Sequence, residues 1–185
     1  MFLPFLPLLA SQILLNNFLS DIPGTTIASD NVDPEWVAKP RRWDNKFISR
    51  YMLLFGFVSS LFDFLTFGIL LYVFKASENE FRTGWFIESL LTELVVALVV
   101  RTRRPCFLSR PGNLLLGSTI VVIAITLILP YLPFQSVMGF VPLPASLMVM
   151  LILLTLLYVF VVELAKKYFY SHAENSGLSA PAKQI

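Results

Sequence analysis

The chain has 185 residues, 56% of them hydrophobic and 14% charged, with a mean hydropathy of +0.73. That is more apolar surface than one water-soluble core of this length could bury, so the composition excludes an ordinary soluble domain and points to a polytopic membrane protein. A formal charge of +2 is too small for a nucleic-acid partner, and the single cysteine, Cys106, has no second thiol for a disulfide, metal or redox motif.

Crossing the hydrocarbon takes about 20 mostly apolar residues, and the sequence offers about five such stretches: 5–23, 51–74, 85–100, 113–130 and 143–165. The predicted fold class is therefore all-α, a bundle of about five transmembrane helices joined by a polar loop at 24–50, a short one at 75–84, a basic one at 101–112 and a Pro-rich one at 131–142. The expected domain layout is one membrane unit over 1–170 and a flexible cytoplasmic tail over 171–185. "MFLPFLPLLA" has no basic residue before its apolar run, so it is expected to be mature sequence rather than a cleaved signal.

Lys and Arg select the cytoplasmic side, and they are unevenly placed. Loop 24–50, loop 101–112 and the tail hold twelve of the fourteen; the alternate side receives only Lys75 and Arg82. The predicted topology is N-terminus outside, C-terminus cytoplasmic. Trp85, Tyr72, Tyr131 and Tyr168 are expected near the headgroups, and Pro4, Pro7, Pro142 and Pro144 at helix entries.

Within the first stretch, "LLNNFLSDIPGTT" places Asn17, Ser20 and Asp21 at helical spacing on one face. A carboxylate inside a bilayer costs roughly 2.5–3.5 kcal/mol on insertion scales, so it usually faces a bundle interior, a cavity or a cation. Pro23 and Gly24 predict that the helix ends or unwinds beside Asp21, freeing backbone oxygens. Carboxylate, amide, hydroxyl and carbonyl oxygens together suit hard cations. The competing reading makes Asp21 the marker of a helix end.

Three further acids lie in apolar surroundings. Glu93 sits midway along the third stretch, near Thr92 and Glu88, and reads either as an ion-path residue or as a protonated acid bonded to a neighbouring helix. Asp63 has Ser59 and Thr66 on its own face, so it is expected to be satisfied locally in helix packing. Glu163 with Lys166 and Lys167 reads as a snorkelling surface pair. "DPEWVAKPRRWDNK" reads as a docking surface or a solvated connector whose Trp36 and Trp43 pack at the membrane surface. His172 is assigned no role.

Taken in order, "QILLNNFLSDIPGTTIASDNVDPEWVAKPRRWD", "SSLFDFLTFG" and "GWFIESLLTELVVALVVRTRRP" resemble the C-terminal membrane region of P-type cation-transporting ATPases, most of all the magnesium-translocating subgroup. The resemblance implies that the five stretches are the sixth to tenth helices of such a pump, which agrees with the charge-derived topology. It implies metal-ligating roles for Asn17, Ser20 and Asp21, which match an Asn, then a polar residue three positions on, then an Asp, on the sixth helix. It also implies one for Glu93, where calcium pumps supply a ligand and magnesium pumps often an amide. Loop 24–50 would meet the phosphorylation domain.

The transported ion implied is Mg2+; ATP would bind only in domains absent here, because neither an Asp-Lys-Thr-Gly-Thr nor a Thr-Gly-Glu motif occurs in the 185 residues. The chain is thus expected to be part of a translocase that does not hydrolyse ATP on its own, in a bacterial inner membrane, with the lipid bilayer and the missing N-terminal half of a pump as partners. The alternative function is a non-catalytic membrane scaffold or regulatory subunit that binds a full pump. An independent five-helix carrier is disfavoured by the lack of internal repeats.

Overall fold

A computed structural model describes residues 4–33 and 45–175, with side chains to 171. Trp36, Trp43 and the rest of residues 34–44 of the polar 24–50 loop lie outside the described residues, as does the tail from 176. The described residues form five helices: α1 (Ala10–Thr26), α2 (Asn45–Gly68), α3 (Glu78–Val100), α4 (Asn113–Ile128) and α5 (Ala145–Asn175). No strand occurs among them.

Four of the five expected spans are long and apolar enough to cross a membrane: Asn45–Val73, Glu78–Val100, Asn113–Tyr131 and Ala145–Ser171. The fifth, α1, has 17 residues, about 26 Å at the helical rise. It is the short, polar member of the set because Asn16, Asn17, Ser20 and Asp21 interrupt its apolar run.

Successive helices alternate in direction. At one end, Arg82 of α3 donates to the Leu6 carbonyl (2.9 Å), and Gln12 of α1 donates to the Met138 carbonyl (3.1 Å). At the other, Arg101 after α3 meets Asp30 after α1. The second end also carries Arg103, Arg104 and Lys166, so it is the basic end of the bundle.

The third helix is the hub: α3 packs against all four others. Half of its apolar window is buried, against 28–33% for the other spans. Its buried face, including Phe81, Phe86, Ile87, Leu90 and Leu94, forms the main core with Leu19 of α1, Leu70, Val122 of α4, and Leu147 and Leu151 of α5. A second core, near the basic end, joins Phe55 and Phe62 of α2 to Val99, Tyr158 and Val162.

Two boundaries differ from the sequence reading. The polar residues 78–84 belong to α3 rather than to a loop, because Ser77 and Glu80 form a capping box. The Ser77 N–H donates to Glu80 Oε2 (2.8 Å), and the Ser77 side chain receives the Glu80 N–H (3.5 Å). Immediately before it, α2 widens into a π-turn at Ile69–Val73 and stops at Lys75, which takes φ 47°. At the other end of the chain, α5 continues beyond the expected span 143–165 to Asn175.

Candidate ion-binding face and its neighbours

Helix α1 does not unwind at Pro23. The proline lies inside the helix and is buried, and the helix runs on to Thr26. The hydroxyls of Thr25 and Thr26 donate to the carbonyls of Ile22 and Pro23 (2.9 and 2.8 Å), which holds this last stretch together. The ring nitrogen still offers no hydrogen to the Leu19 carbonyl. One backbone oxygen beside Asp21 is therefore deprived of its helical donor without a break in the helix.

Asn17 and Asp21 are exposed and Ser20 is half-buried, with its hydroxyl donating to the Asn17 carbonyl (3.1 Å). The spacing brings these three groups together on α1. Glu93 of α3 is also exposed, yet its bond is to Asn16: the Asn16 Nδ2 donates to Glu93 Oε2 at 3.2 Å, and Asn16 Oδ1 is buried without a partner. Asn16 is thus the residue that ties the α1 motif to α3, and sequence spacing missed it because it lies one position off the expected face. No group of three or more His, Cys, Asp or Glu side chains that could hold a metal occurs among the described residues.

Asp63 is not satisfied within its own helix. Its Oδ1 accepts the Trp85 indole N–H (3.2 Å); Ser59 instead pairs with the Tyr158 hydroxyl (2.7 Å), and Thr66 donates to the Phe62 carbonyl (2.9 Å). Trp85 accordingly packs half-buried against α2, edge-on to Phe67 with ring centroids 4.8 Å apart.

The basic end is tied by a network that spacing did not reveal. Arg101 reaches Asp30 Oδ2 (2.7 Å) and the Ser109 carbonyl and hydroxyl (3.2 and 3.0 Å), while the Gly112 N–H donates to Asp30 Oδ1 (2.7 Å). Asp33 accepts from the Thr102 and Ser109 hydroxyls. Burial pushes the Asp30 carboxyl up, but the Gly112 N–H and Arg101 outweigh it and hold the group below 3.8. The Thr102 hydroxyl does most to hold Asp33 low, against burial.

Lys166 is not a snorkelling surface group. It is 2% exposed, and its Nζ donates to the carbonyls of Val99 (3.0 Å) and Arg104 (2.8 Å) and to Glu163 Oε1 (2.9 Å). A cation placed there satisfies carbonyls left over at the C-terminus of α3, where the helix dipole favours positive charge. A cavity of about 300 Å3 also opens at this end, lined by residues including Asp30, Phe47, Tyr51 and Arg101 but by none of Asn17, Ser20 and Asp21.

Residues 5–168 match the family described as "Cation transporting ATPase, C-terminus". The chain belongs to that family. It is 38% identical over 173 residues to the magnesium-transporting ATPase, P-type 1, of Salmonella typhimurium strain LT2, and 35% identical over 173 residues to the protein of the same name from Escherichia coli K12. Each match covers 91% of this chain and 19% of the relative. The chain thus corresponds to about a fifth of the length of these relatives, and within the cation-transporting ATPase family it represents the C-terminal membrane part.

Proposed function

We propose that this chain is the C-terminal transport bundle of a P-type magnesium pump, in which α1 offers Asn17, Ser20 and Asp21 to the transported Mg2+ and Glu93 lines the same path. The observation that carries the reading is the exposure of Asn17 and Asp21 beside exposed Leu14, Phe18 and Ile22. A carboxylate and an amide left to hydrocarbon at that depth are costly. A further protein surface that covers this face and completes the site removes the cost.

Mg2+ keeps several waters and takes one or two carboxylates, so a single acid with an amide, a hydroxyl and a backbone oxygen is a chemically sufficient half-site. The basic end would face the cytoplasm, by the excess of Lys and Arg there. The relatives are named as magnesium transporters, which favours Mg2+ over other hard cations. ATP hydrolysis would reside in the preceding part of the pump, and the membrane unit would span 1–170 in a bacterial inner membrane.

The test is a hybrid pump in which this chain replaces the corresponding region of the Escherichia coli relative, purified and reconstituted in liposomes. Asp21→Asn is expected to leave the hybrid assembled and to abolish Mg2+ uptake. Loss of assembly with this variant would instead identify the α1 face as an interface of a scaffold or regulatory subunit.

A further inference from the structure

A second acidic site lies apart from the α1 motif, where α2, α3 and α5 meet. Glu88 of α3 is 1% exposed, and its Oε2 is buried with no hydrogen-bond partner. Facing α3 from α2 are Asp63, whose carboxyl accepts the indole N–H of Trp85, one helical turn before Glu88, and Thr66, buried one turn further along α2. Asp63 is half-exposed and fixed by the Trp85 indole. On the α5 side, Tyr158 is 1% exposed, and its hydroxyl shares a 2.7 Å hydrogen bond with Ser59.

Among the described residues, no cation is placed to offset these two acids. On α3 the only basic side chain is Arg82, which is bonded to the Leu6 carbonyl, Asn79 and Glu78. On α5, Lys166 is taken up by Val99, Arg104 and Glu163, and Lys167 is exposed, nine positions beyond Tyr158. On α2, Lys46 and Arg50 lie at least 13 positions from Asp63, about 20 Å along the helix. Helix α4 has no titratable side chain, and the only one on α1, Asp21, is exposed. Two carboxyls, one of them fully enclosed, share an apolar interface with hydroxyls and an indole but no counter-ion.

We propose that Glu88 and Asp63 form a proton-binding carboxyl pair, a second ion site in which half-exposed Asp63 is the entry and buried Glu88 the terminus. A proton fits this place better than a metal ion, because a hydrated divalent cation needs room and several oxygens, and the enclosed Glu88 carboxyl has one hydroxyl and one acid beside it. The unpartnered Oε2 is the atom at which a proton makes the enclosed group neutral, and the facing Asp63 supplies an acceptor through which that proton exchanges.

The experiment is infrared difference spectroscopy of the full chain in liposomes at pH 7, following the C=O band of protonated carboxylic acid in H2O and after mixing into D2O. The expected result is a protonated-acid band that shifts in D2O, is lost in Glu88→Gln, and moves in frequency in Asp63→Asn while remaining unchanged in Asp21→Asn. Asp63→Asn keeps the test valid if Glu88→Gln loses its helix content by circular dichroism, because Asp63 is half-exposed. Absence of the band in the unmodified chain, or a band indifferent to both substitutions, overturns the proposal. Discharge of the band by MgCl2 at constant pH also overturns it, because it shows that a metal ion occupies the pair.

Discussion

Arg101 Nη1 stands 2.7 Å from Asp30 Oδ2, with side-chain exposures of 6% and 12%, and through this pair the segment leaving α1 is locked to the turn leaving α3. Removing one partner of such a pair strands the other in a dry place. Arg101→Ala is expected to destabilise the bundle by about 3 kcal/mol, read as a lower thermal midpoint in detergent, whereas Asp30→Asn, which keeps an acceptor for the Gly112 N–H, is expected to cost less.

The same network gives stability an acid limit. Asp30 and Asp33 are held below their ordinary value of 3.8, so at pH values between the folded and unfolded pKa the unfolded chain binds more protons. Their contribution is therefore complete above pH 4–5 (about one unit past the unfolded value) and is lost as the pH falls through the lower folded values. Thermal midpoints should fall on acidification through the lower folded values, and that fall should be smaller in the Asp30→Asn, Asp33→Asn double variant.

Close approach of backbones adds a steric test. A Cβ on Gly112 would lie 2.8 Å from the Ser29 carbonyl oxygen, whereas one on Gly117, in the middle of α4, would meet nothing within 4 Å. Gly112→Ala should cost about 1–3 kcal/mol and weaken the Asp30 contact. Gly117→Ala should be neutral or slightly stabilising, since alanine is the better helix former. Equal effects of the two in a melting experiment would contradict the packing described.

Cys106 offers a chemical readout. Its backbone N–H donates to Glu163 Oε1 (2.9 Å), and burial, followed by the Glu163 carboxylate, pushes its thiol above the ordinary value of 9.0. Because the thiolate is the reactive form, alkylation at pH 7.5 should be slower than for an unhindered thiol. Glu163→Gln should accelerate it severalfold at constant burial.

The bundle is legible in the sequence because lipid demands long apolar runs, and α2, α3, α4 and α5 supply them. The α1 face is legible because Asn17, Ser20 and Asp21 repeat at helical spacing. What escapes is every relationship between helices. Asp63 looks satisfied by Ser59 and Thr66, but its partner, Trp85, comes from α3. Lys166 looks like a surface group until the end of α3 is placed over it. Asn16, the residue that reaches Glu93, sits one position from the motif, and only the packing of α1 on α3 selects it. The start of α3 was hidden for a local reason: Ser77 to Glu80 is polar enough to read as a loop, although its Ser-x-x-Glu spacing is a capping box.

Whether the α1 face supplies oxygen ligands to magnesium is read most directly from the Mg2+ concentration dependence of uptake by reconstituted hybrid pumps carrying Asp21→Asn or Glu93→Gln. Loss of a liganding carboxylate should cost more than the 10–100-fold typical of outer-sphere changes, so Asp21→Asn is expected to reduce uptake at limiting Mg2+ by more than about 100-fold. Glu93→Gln, which keeps an acceptor oxygen for Asn16, is expected to have a smaller effect. An assembled Asp21→Asn pump that takes up Mg2+ with unchanged concentration dependence would contradict the account.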